Sequence, residues 1–588
     1  MDGVTTSFFP PLLKDPSLRH AARPMILFLS HIRETACRPV LILSLLTLAL
    51  GGGIQPALAQ TQATPSSSTP TAPEAAPAFA GGMTRDVLVA ALGFLAPRTL
   101  DAHSAREFCI WGLDGLTAID PTIIVTTNPA EDRDGQHIPE TVTITRGQKA
   151  FFKHPLPADT SRTGWADLVT AAMDAAWSHS STIREAGDDA LLQGFFDELF
   201  NHMDPYSRYL GPTPAVADRT RRTGQSGTVG LTLGQKGHSI VVTAVNANGP
   251  AWEAGVDMGQ RLVSVNGKST HGQSPDTVQS WLDGDERTAV SLALASKGKR
   301  PATLKLMRVQ VPPETVFAST VDAYTLLRIT SFSTQTAEEI SQYLDQVVED
   351  DTPDGPGATQ AAGKAKRPAG IIIDLRGDRG GVLQQAVTAA ALFLDHGVAV
   401  TTHGRDPQAN HIWAVQGGDM TSGAPIVILV DGRTASAAEI LAAALADHRR
   451  AVVIGSETLG KGLVQVIGQM PNGGELFVTW SRNQAPLGWP IQGLGVMPQV
   501  CTSRGSDDLH AQLDALKNGN APQAGAVQMA RAARYPVPVA RILDIRRHCP
   551  AAIGTDADMD TARFMLSSAS AYKAALEAVP DENTAPLH

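Results

Sequence analysis

The chain has 588 residues, of which 43% are hydrophobic and 18% charged, so its composition is that of a globular protein and not of a disordered one. A length of this order suits about three to four domains of ordinary size. The formal net charge of -10 argues against an extended basic surface, and on this ground nucleic-acid binding is excluded.

The first 59 residues have the pattern of a secretory signal peptide. An apolar run, VLILSLLTLAL, follows several arginines and precedes the small-x-small sequence Ala57-Leu58-Ala59. The run is shorter than the ~20 residues that a membrane-spanning helix needs. We therefore expect an exported, periplasmic protein, with membrane association through an uncleaved apolar segment as the alternative.

Residues 60–82 are rich in Ala, Pro, Ser and Thr and predict a disordered linker, because they carry almost no large apolar side chains. Residues 83–220 have helical patterns. In DDALLQGFFDELFNHM (188–203), for example, Leu and Phe recur at intervals of three and four residues. We expect a helical N-terminal region.

Between Gly227 and Arg308 the pattern changes to short alternating segments, such as SIVVTAV and RLVSVNG, that are separated by Gly, Asn and Pro. Alternation with a period of two residues is typical of strands that are buried on one face. This part of the chain therefore predicts a small β-rich domain.

Three runs that are apolar throughout come next: GIIIDL (370–375), APIVILV (424–430) and AVVIGS (451–456). Strands of this kind are typical of parallel sheets that helices cover on both faces. Two of the runs are followed closely by helical segments, so the spacing predicts an α/β core with a parallel sheet. Residues 349–368, rich in Asp, Pro, Gly and Lys, predict a surface insertion.

Three cysteines remain after removal of the signal peptide: Cys109, Cys501 and Cys549. They are too few for a disulfide framework but enough for one bond in an oxidising compartment, and Cys501 with Cys549 is the pairing that we consider. The sequence has no His-Glu-x-x-His motif and no cysteine pair at ligand spacing, so we expect no metal and no other cofactor.

Ser436 lies where a turn meets an alanine-rich helix, in DGRTASAAEILAAALAD (431–447), and two interpretations are open. The sequence from Ser436 to Glu439 fits a capping box, in which the serine only caps the first helical turn. The same position also presents a hydroxyl at the positive end of a helix, where the amide of Ala437 can stabilise an oxyanion.

A second sequence, GSETLGKGLVQ (455–465), favours a nucleophilic Ser436. It places Lys461 between two glycines, with Gln465 four residues further on. A serine hydroxyl needs a base, and a lysine serves only if burial lowers its pKa from about 10.4 towards 7. Gln465 can hold the amine by a hydrogen bond without adding a charge that would raise this pKa.

Histidine is the alternative base. His448 lies twelve residues after Ser436 on the same expected helix, about 18 Å of rise, which excludes direct contact. His403 and His411 remain open as alternatives.

The two sequences around Ser436 and Lys461 resemble those of the carboxyl-terminal processing (tail-specific) serine proteases. The family's nucleophile phrase is close to SASASEI and its lysine phrase is GKGxVQ, and this chain has TASAAEI and GKGLVQ. Further similar phrases follow the family's order: DPYSRYL (204–210), LLRITSFS (326–333), IIIDLRGDRGG (371–381) and PIQGLGVMPQV (490–500). The resemblance covers roughly residues 190–516 and implies a serine endopeptidase that forms an acyl-enzyme.

The resemblance also implies roles for individual residues. Ser436 would be the nucleophile, Lys461 the general base and Gln465 the residue that positions the lysine. The oxyanion hole would consist of backbone amides, namely those of Gly380 or Gly381 and of Ala437.

Asp447 stands where some relatives have an acidic residue that is implicated in activity. An aspartate at the C-terminal end of a helix is disfavoured by the helix dipole, so an ion pair is the other role that we consider. Arg449 and Arg450 are the expected partners.

The fold that the resemblance implies is of the α/β class, with a crotonase/ClpP-like protease core (311–516), a β-rich PDZ domain (224–310) and helical N- and C-terminal flanks. The sequence predicts no function for the C-terminal extension, 517–588.

PDZ domains add a peptide as a strand to a sheet edge and hold its terminal carboxylate on backbone amides. The segment Gly230-Leu231-Thr232-Leu233 fits this binding loop. Protein substrates with apolar C-terminal tails are therefore the expected partners. Relatives also use adaptor proteins or assemble as homo-oligomers, and the sequence leaves both open. The alternative from another functional class is a non-catalytic, exported PDZ scaffold that only binds such tails.

Overall fold

The structure, a computed structural model, describes residues 78–133, 136–296, 300–349 and 368–581. The expected signal peptide, most of the expected linker and most of the expected insertion at 349–368 lie outside these residues. None of the helices within the described ranges is both long and apolar enough to cross a membrane.

The N-terminal region combines helices with small antiparallel sheets. Its helices are α1 (Gly81–Arg98), α2 (Ala105–Leu113), α3 (Gly115–Ile119), α4 (Arg162–His179), α5 (Ser181–Ala186), α6 (Asp188–Asn201) and α7 (Pro212–Thr223). Its strands are β1 (Ile123–Asn128), β2 (Glu131–Arg133), β3 (Gln136–Ile138), β4 (Thr141–Arg146), β5 (Lys149–Pro155) and β6 (Arg208–Leu210). The apolar face of α6 is buried, as its spacing predicts. The strands β1 to β5, between α3 and α4, differ from the helical region that the sequence predicts.

The β-rich region follows. Its strands are β7 (Gln225–Thr228), β8 (Leu231–Lys236), β9 (Ser239–Val245), β10 (Arg261–Val265), β11 (Lys268–Ser269), β12 (Ala289–Ala295), β13 (Ala302–Met307) and β14 (Val309–Val311), and its helices are α8 (Pro250–Glu253) and α9 (Pro275–Leu282). The main sheet has the order β13-β12-β10-β9-β8, so β8 lies at its edge. Helix α9 packs against β8 and closes a separate apolar core.

The core contains two sheets. Its strands are β15 (Val316–Val321), β16 (Tyr324–Ile329), β17 (Ile371–Asp374), β18 (His396–His403), β19 (His411–Gln416), β20 (Ile426–Val430), β21 (Ala451–Gly455), β22 (Leu463–Gln469), β23 (Glu475–Gln484) and β24 (Val500–Cys501). The first sheet has the order β15-β16-β17-β20-β21-β24 and is parallel from β16 onward, as the apolar runs predict. The second has the order β19-β18-β23-β22, with β6 paired to β23.

Helices cover both faces of the parallel sheet. They are α10 (Thr336–Glu349), α11 (Leu383–Ala391), α12 (Ala437–Asp447), α13 (Ser506–Lys517), α14 (Ala524–Arg531), α15 (Val539–Arg546), α16 (Asp556–Ser567) and α17 (Ala569–Glu577). One apolar cluster joins α11 and α12 to the sheet, and a second joins α13, α16 and α17 to its other face. The C-terminal extension therefore supplies much of one covering layer of the core.

The cysteine pairing that the sequence left open is present: Cys501 at the end of β24 is bonded to Cys549, with a Cα–Cα distance of 5.8 Å. Cys109 is a buried free thiol.

Replacing both Cys501 and Cys549 by alanine is expected to lower the free energy of unfolding by about 2–4 kcal/mol, because the bond closes a long loop and restricts the unfolded chain. The two residues are 48 positions apart. Denaturant unfolding checks this. A reducing agent should lower the wild-type midpoint to that of the double variant and leave the variant unchanged. Equal midpoints of the oxidised wild type and the variant would contradict the prediction.

Candidate active site

Ser436 lies in the turn between β20 and α12 with a strained backbone, at φ 59° and ψ -119°. A positive φ is uncommon outside glycine and costs on the order of 1–3 kcal/mol. An ordinary N-cap residue is extended instead. The Glu439 half of the expected capping box is present, since the Ser436 N–H donates to Oε2 of Glu439 at 2.8 Å. Capping alone does not explain the strain, and strained residues of this kind cluster at functional sites.

Glu439 is a fully buried carboxylate that joins the serine and lysine segments. Its Oε2 also accepts the N–H of Lys461 at 2.9 Å, and its Oε1 accepts the N–H of Gly460 at 2.7 Å and the hydroxyl of Thr458. Burial raises the pKa of Glu439, whereas these hydrogen bonds act in the opposite direction. Because one carboxylate oxygen accepts the backbone N–H of both Ser436 and Lys461, the structure brings the backbones of the expected nucleophile and the expected base together.

The Lys461 side chain is partly buried, with its Nζ 5.1 Å from the centre of the Tyr206 ring. Burial lowers the pKa of Lys461, and the positive charge of Arg208 lowers it further. The carboxylates of Glu439 and Asp204 oppose this shift without reversing it. A lowered pKa is the direction that a lysine general base requires.

Gln465 makes a different contact from the one expected. Its Nε2 donates to Oγ1 of Thr479 at 3.1 Å and to the carbonyl of Leu463 at 3.2 Å. The Thr479 hydroxyl in turn donates to Oδ1 of Asp204 at 2.7 Å. Gln465 is therefore connected through the Thr479 hydroxyl to Asp204, one of the carboxylates that act on Lys461.

The two glycine candidates for the oxyanion hole differ in how their amides are used. Gly380 packs directly against the nucleophile: a Cβ atom there would lie 2.8 Å from Cβ of Ser436, at a φ of 83° that favours glycine. However, its N–H donates to Oδ1 of Asp378 at 2.7 Å. Gly381 forms a parallel β-bridge with Phe332. The Phe332 N–H donates to the carbonyl of Gly380, and the Phe332 carbonyl accepts the N–H of Val382. The N–H of Gly381 therefore points away from Phe332.

Asp378 is buried beside this segment, and burial raises its pKa to about 8. Within the described part of the chain, its Oδ2 has no hydrogen-bond partner. These two observations indicate that the carboxyl group of Asp378 is protonated at neutral pH.

Asp378→Asn is expected to flatten the pH dependence of stability. Between about pH 4, where an unfolded Asp ionises, and the native pKa of about 8, only the folded protein holds this proton. The resulting stabilisation is therefore complete at acid pH and is lost as the pH rises through the native pKa. Asparagine keeps the acceptor for Gly380 and does not titrate. The urea midpoint should fall less steeply with pH in the variant, and parallel curves would contradict the prediction.

Asp447 lies at the far end of the 11-residue helix α12, about 16 Å of rise from Ser436. The expected ion pair forms, but the expected partners are wrong: Nε of Arg531 lies 3.0 Å from its Oδ1, and both side chains are buried. Arg449 bonds to the carbonyl of Val579, and Arg450 pairs with Asp419. The structure therefore does not bring Asp447 to Ser436.

The expected peptide-binding segment lies at the open edge of the β-rich sheet. Gly230 has a φ of 76° just before β8, Leu231 and Leu233 are buried, and Thr232 is exposed. Nε2 of Gln279, on α9, donates to the carbonyl of Leu231 at 3.0 Å. An open edge such as that of β8 is where a peptide can add as a strand.

Two groups were missed as site residues from the sequence. The first is Glu439, which was considered only as a capping partner. The second is the segment DPYSRYL, which supplies Asp204, Tyr206 and Arg208 around Lys461. Its polar and aromatic composition was a signal, but nothing in the sequence shows that it meets a lysine so far along the chain.

Comparisons with known proteins show which families this chain resembles. The model of peptidase family S41 matches residues 323–502, and that of the PDZ domain matches residues 241–296. A carboxyl-terminal-processing protease of Synechocystis sp. is 30% identical over 311 residues, which cover 51% of this chain and 69% of the relative. A carboxy-terminal-processing protease of Bartonella bacilliformis is 29% identical over 314 residues, 53% of this chain and 70% of the relative. A solved structure, a photosystem II D1 C-terminal processing protease, is 24% identical, with a TM-score of 0.32 and coverage of 66% of this chain and 92% of that one.

Proposed function

Because the chain belongs to the carboxyl-terminal processing proteases of peptidase family S41, which are serine peptidases, we propose that Ser436 is its nucleophile and Lys461 its general base. The observation that carries the assignment is the shared carboxylate oxygen of Glu439, which binds the N–H of both residues. The strained backbone of Ser436 and the lowered pKa of Lys461 support it.

In the proposed reaction the neutral amine of Lys461 takes the hydroxyl proton as Oγ of Ser436 attacks the substrate carbonyl carbon. The resulting oxyanion accepts hydrogen bonds from the amides of Ala437 and Gly381. The C–N bond then breaks, the lysine returns its proton to the leaving amine, and an ester to Ser436 remains. Water, deprotonated by the same lysine, hydrolyses the ester and regenerates the serine.

Gly380 contributes by its small size in this scheme, since a side chain there would meet Ser436. Its amide would join the oxyanion hole only after leaving Asp378. Gln465 supports the lysine indirectly, through Thr479 and Asp204. Asp447, paired with Arg531, stabilises the end of α12 and takes no part in bond cleavage.

Substrate selection is proposed to occur in the PDZ domain, by addition of an apolar C-terminal tail as a strand beside β8. The exposed edge of β8, the positive φ of Gly230 and the adjacent helix α9 support this mode of binding. A peptide would have to displace the Gln279 amide from the carbonyl of Leu231 if it used that acceptor.

For the fold and its location, we propose a crotonase/ClpP-like core at 311–516, flanked by the N-terminal region 83–220, the PDZ domain 224–310 and the extension 517–588. The mixed sheet with its two helical layers supports this assignment. Export to the periplasm is supported by the pattern of the first 59 residues and by the Cys501–Cys549 bond, which suits an oxidising compartment.

The test is cleavage of an unfolded protein with an apolar C-terminal tail by the wild type and by Ser436→Ala, with Ser570→Ala, an exposed serine of α17, as the matched control. The wild type and the control should release product, and Ser436→Ala should bind the substrate without cleaving it. Equal product from Ser436→Ala would reject the nucleophile. Binding without product from all three proteins would favour the non-catalytic scaffold.

A further inference from the structure

Arg546, at the end of α15 in the C-terminal extension, is bonded to the segment that carries Lys461. Its Nη2 donates to the carbonyl of Thr458 at 3.0 Å. Its Nη1 donates to the carbonyls of Gly493 and Leu494 at 3.1 and 3.0 Å. One guanidinium group thus joins two loops that are distant in sequence.

These two loops meet at the residue before Lys461. The N–H of Gly493 donates to the carbonyl of Gly460 at 2.9 Å, and the Thr458 hydroxyl donates to the Glu439 carboxylate. Arg546 therefore holds the backbone before Gly460 directly, and it also holds the loop whose Gly493 bonds to the Gly460 carbonyl. Glycine is conformationally permissive, so the segment Gly460-Lys461-Gly462 depends on such contacts for a single conformation.

Arg546 also lies against Glu457, the residue before Thr458. Glu457 is completely buried, and Nε of Arg546 lies 3.5 Å from its Oε2. Within the described part of the chain, neither oxygen of Glu457 has a hydrogen-bond partner. Burial raises the pKa of Glu457 to about 8, and the charge of Arg546 opposes this.

The chain segment that follows Arg546 is anchored to the core by a disulfide and by hydrogen bonds. Cys549, three residues on, is bonded to Cys501 of β24. The N–H of Ala552 donates to Oγ of Ser456 at 3.0 Å, and Ser456 Oγ donates to the carbonyl of Ala552 at 3.0 Å. The extension is thus anchored to the end of β21, where the lysine segment begins.

We propose that Arg546 is a positioning residue for Lys461, which fixes the segment 458–460 so that the lysine amine is held beside Ser436 and shielded from water. The inference rests on the proposed role of Lys461 as the base. It assigns a function to the C-terminal extension, for which the sequence predicts none.

The experiment compares Arg546→Met and Arg546→Lys with Arg547→Met, whose arginine is on the same helix end, has a side chain that is 72% exposed and pairs with Asp544. The readouts are kcat, KM and the pH profile of kcat per folded enzyme. Loosening of the lysine should lower kcat of Arg546→Met about tenfold to a hundredfold with little change in KM. Arg546→Lys should recover part of the loss, and Arg547→Met should match the wild type.

The pH profile separates positioning from mere stability. Activity requires the neutral lysine, so it rises with pH through the lysine pKa. A more hydrated amine has a higher pKa, so the acid limb of Arg546→Met should move to higher pH. The charged and titratable groups that face this amine are Glu439 of α12 and, before and within β6, Asp204, Tyr206 and Arg208, and the variants keep all of them.

An unchanged kcat per folded enzyme together with an unchanged acid limb would overturn the inference, even if the thermal midpoint of Arg546→Met fell. Should Arg546→Met fail to fold, Arg546→Lys decides by the same two readouts. Lys461→Met distinguishes the two levels of the argument: if it is inactive while the Arg546 variants behave as the wild type, only the inference fails. If Lys461→Met is active, the proposed function itself fails.

Discussion

Lys461→Met reduces kcat by about 10²–10⁴-fold, the contribution expected of a general base, and leaves KM nearly unchanged. Methionine retains the length and the apolar contacts of the stem beside Tyr206 but cannot accept a proton. Steady-state cleavage of an unfolded substrate measures the effect. Lys517→Met, at an exposed lysine at the end of α13, is the matched control and should retain full activity.

The pH profile of the wild type gives the second half of this result. Because burial and Arg208 lower the pKa of Lys461, the acid limb of kcat should lie below the ordinary lysine value of about 10.4. A limb at the ordinary value, or full turnover by Lys461→Met, would remove Lys461 from the mechanism.

We expect Glu439→Gln to have the second large effect. It should reduce kcat by about a hundredfold or more, because the segments that carry Ser436 and Lys461 lose their alignment. The carboxylate accepts hydrogen bonds from the N–H groups of Ser436, Gly460 and Lys461 and from the hydroxyl of Thr458. All of these groups donate, so an ionised carboxylate suits them, whereas the amide nitrogen of glutamine would face donors.

The residual activity of Glu439→Gln also has a defined pH dependence. The charge of Glu439 raises the pKa of Lys461, so its removal should move the acid limb to lower pH, opposite to the shift expected for Arg546→Met. The control is Glu338→Gln, at an exposed glutamate of α10 next to the buried Glu339. Unchanged kcat in Glu439→Gln would show that the shared carboxylate does not align the site.

Ser436 shows how far a local pattern can reach. The sequence places it between a buried strand and a helix and leaves two interpretations open, cap and nucleophile, of which the cap predicts the observed contact with Glu439. The positive φ of its backbone and the bond from the Lys461 N–H to the same carboxylate, neither of which the local sequence predicts, support the proposed nucleophile.

Asp447 shows where local reasoning fails. Nearby arginines were the natural candidates for its partner, yet Arg449 and Arg450 point to other groups and Arg531 occupies the buried position. A buried charge takes whichever partner the packed core brings to it, and sequence distance carries no information about that choice.

The amino-acid sequence by itself determined the elements whose signals are local: the buried face of α6, the parallel strands β17, β20 and β21, the serine at a helix start and the glycine-flanked lysine. It also contained the family's phrases in order. These features depend on side-chain periodicity and on backbone freedom, which act within a few residues.

Only the tertiary structure decided which distant groups meet. It places Asp204 and Tyr206 beside Lys461. It also forms the hydrogen bond from the Gly380 amide to Asp378 and the one from Arg546 of the extension to the carbonyl of Thr458, in the lysine segment. Such contacts are set by how sheets and helices pack over the whole chain. The pKa of a lysine depends on the burial and charges that this packing creates, and no short segment of the sequence contains them.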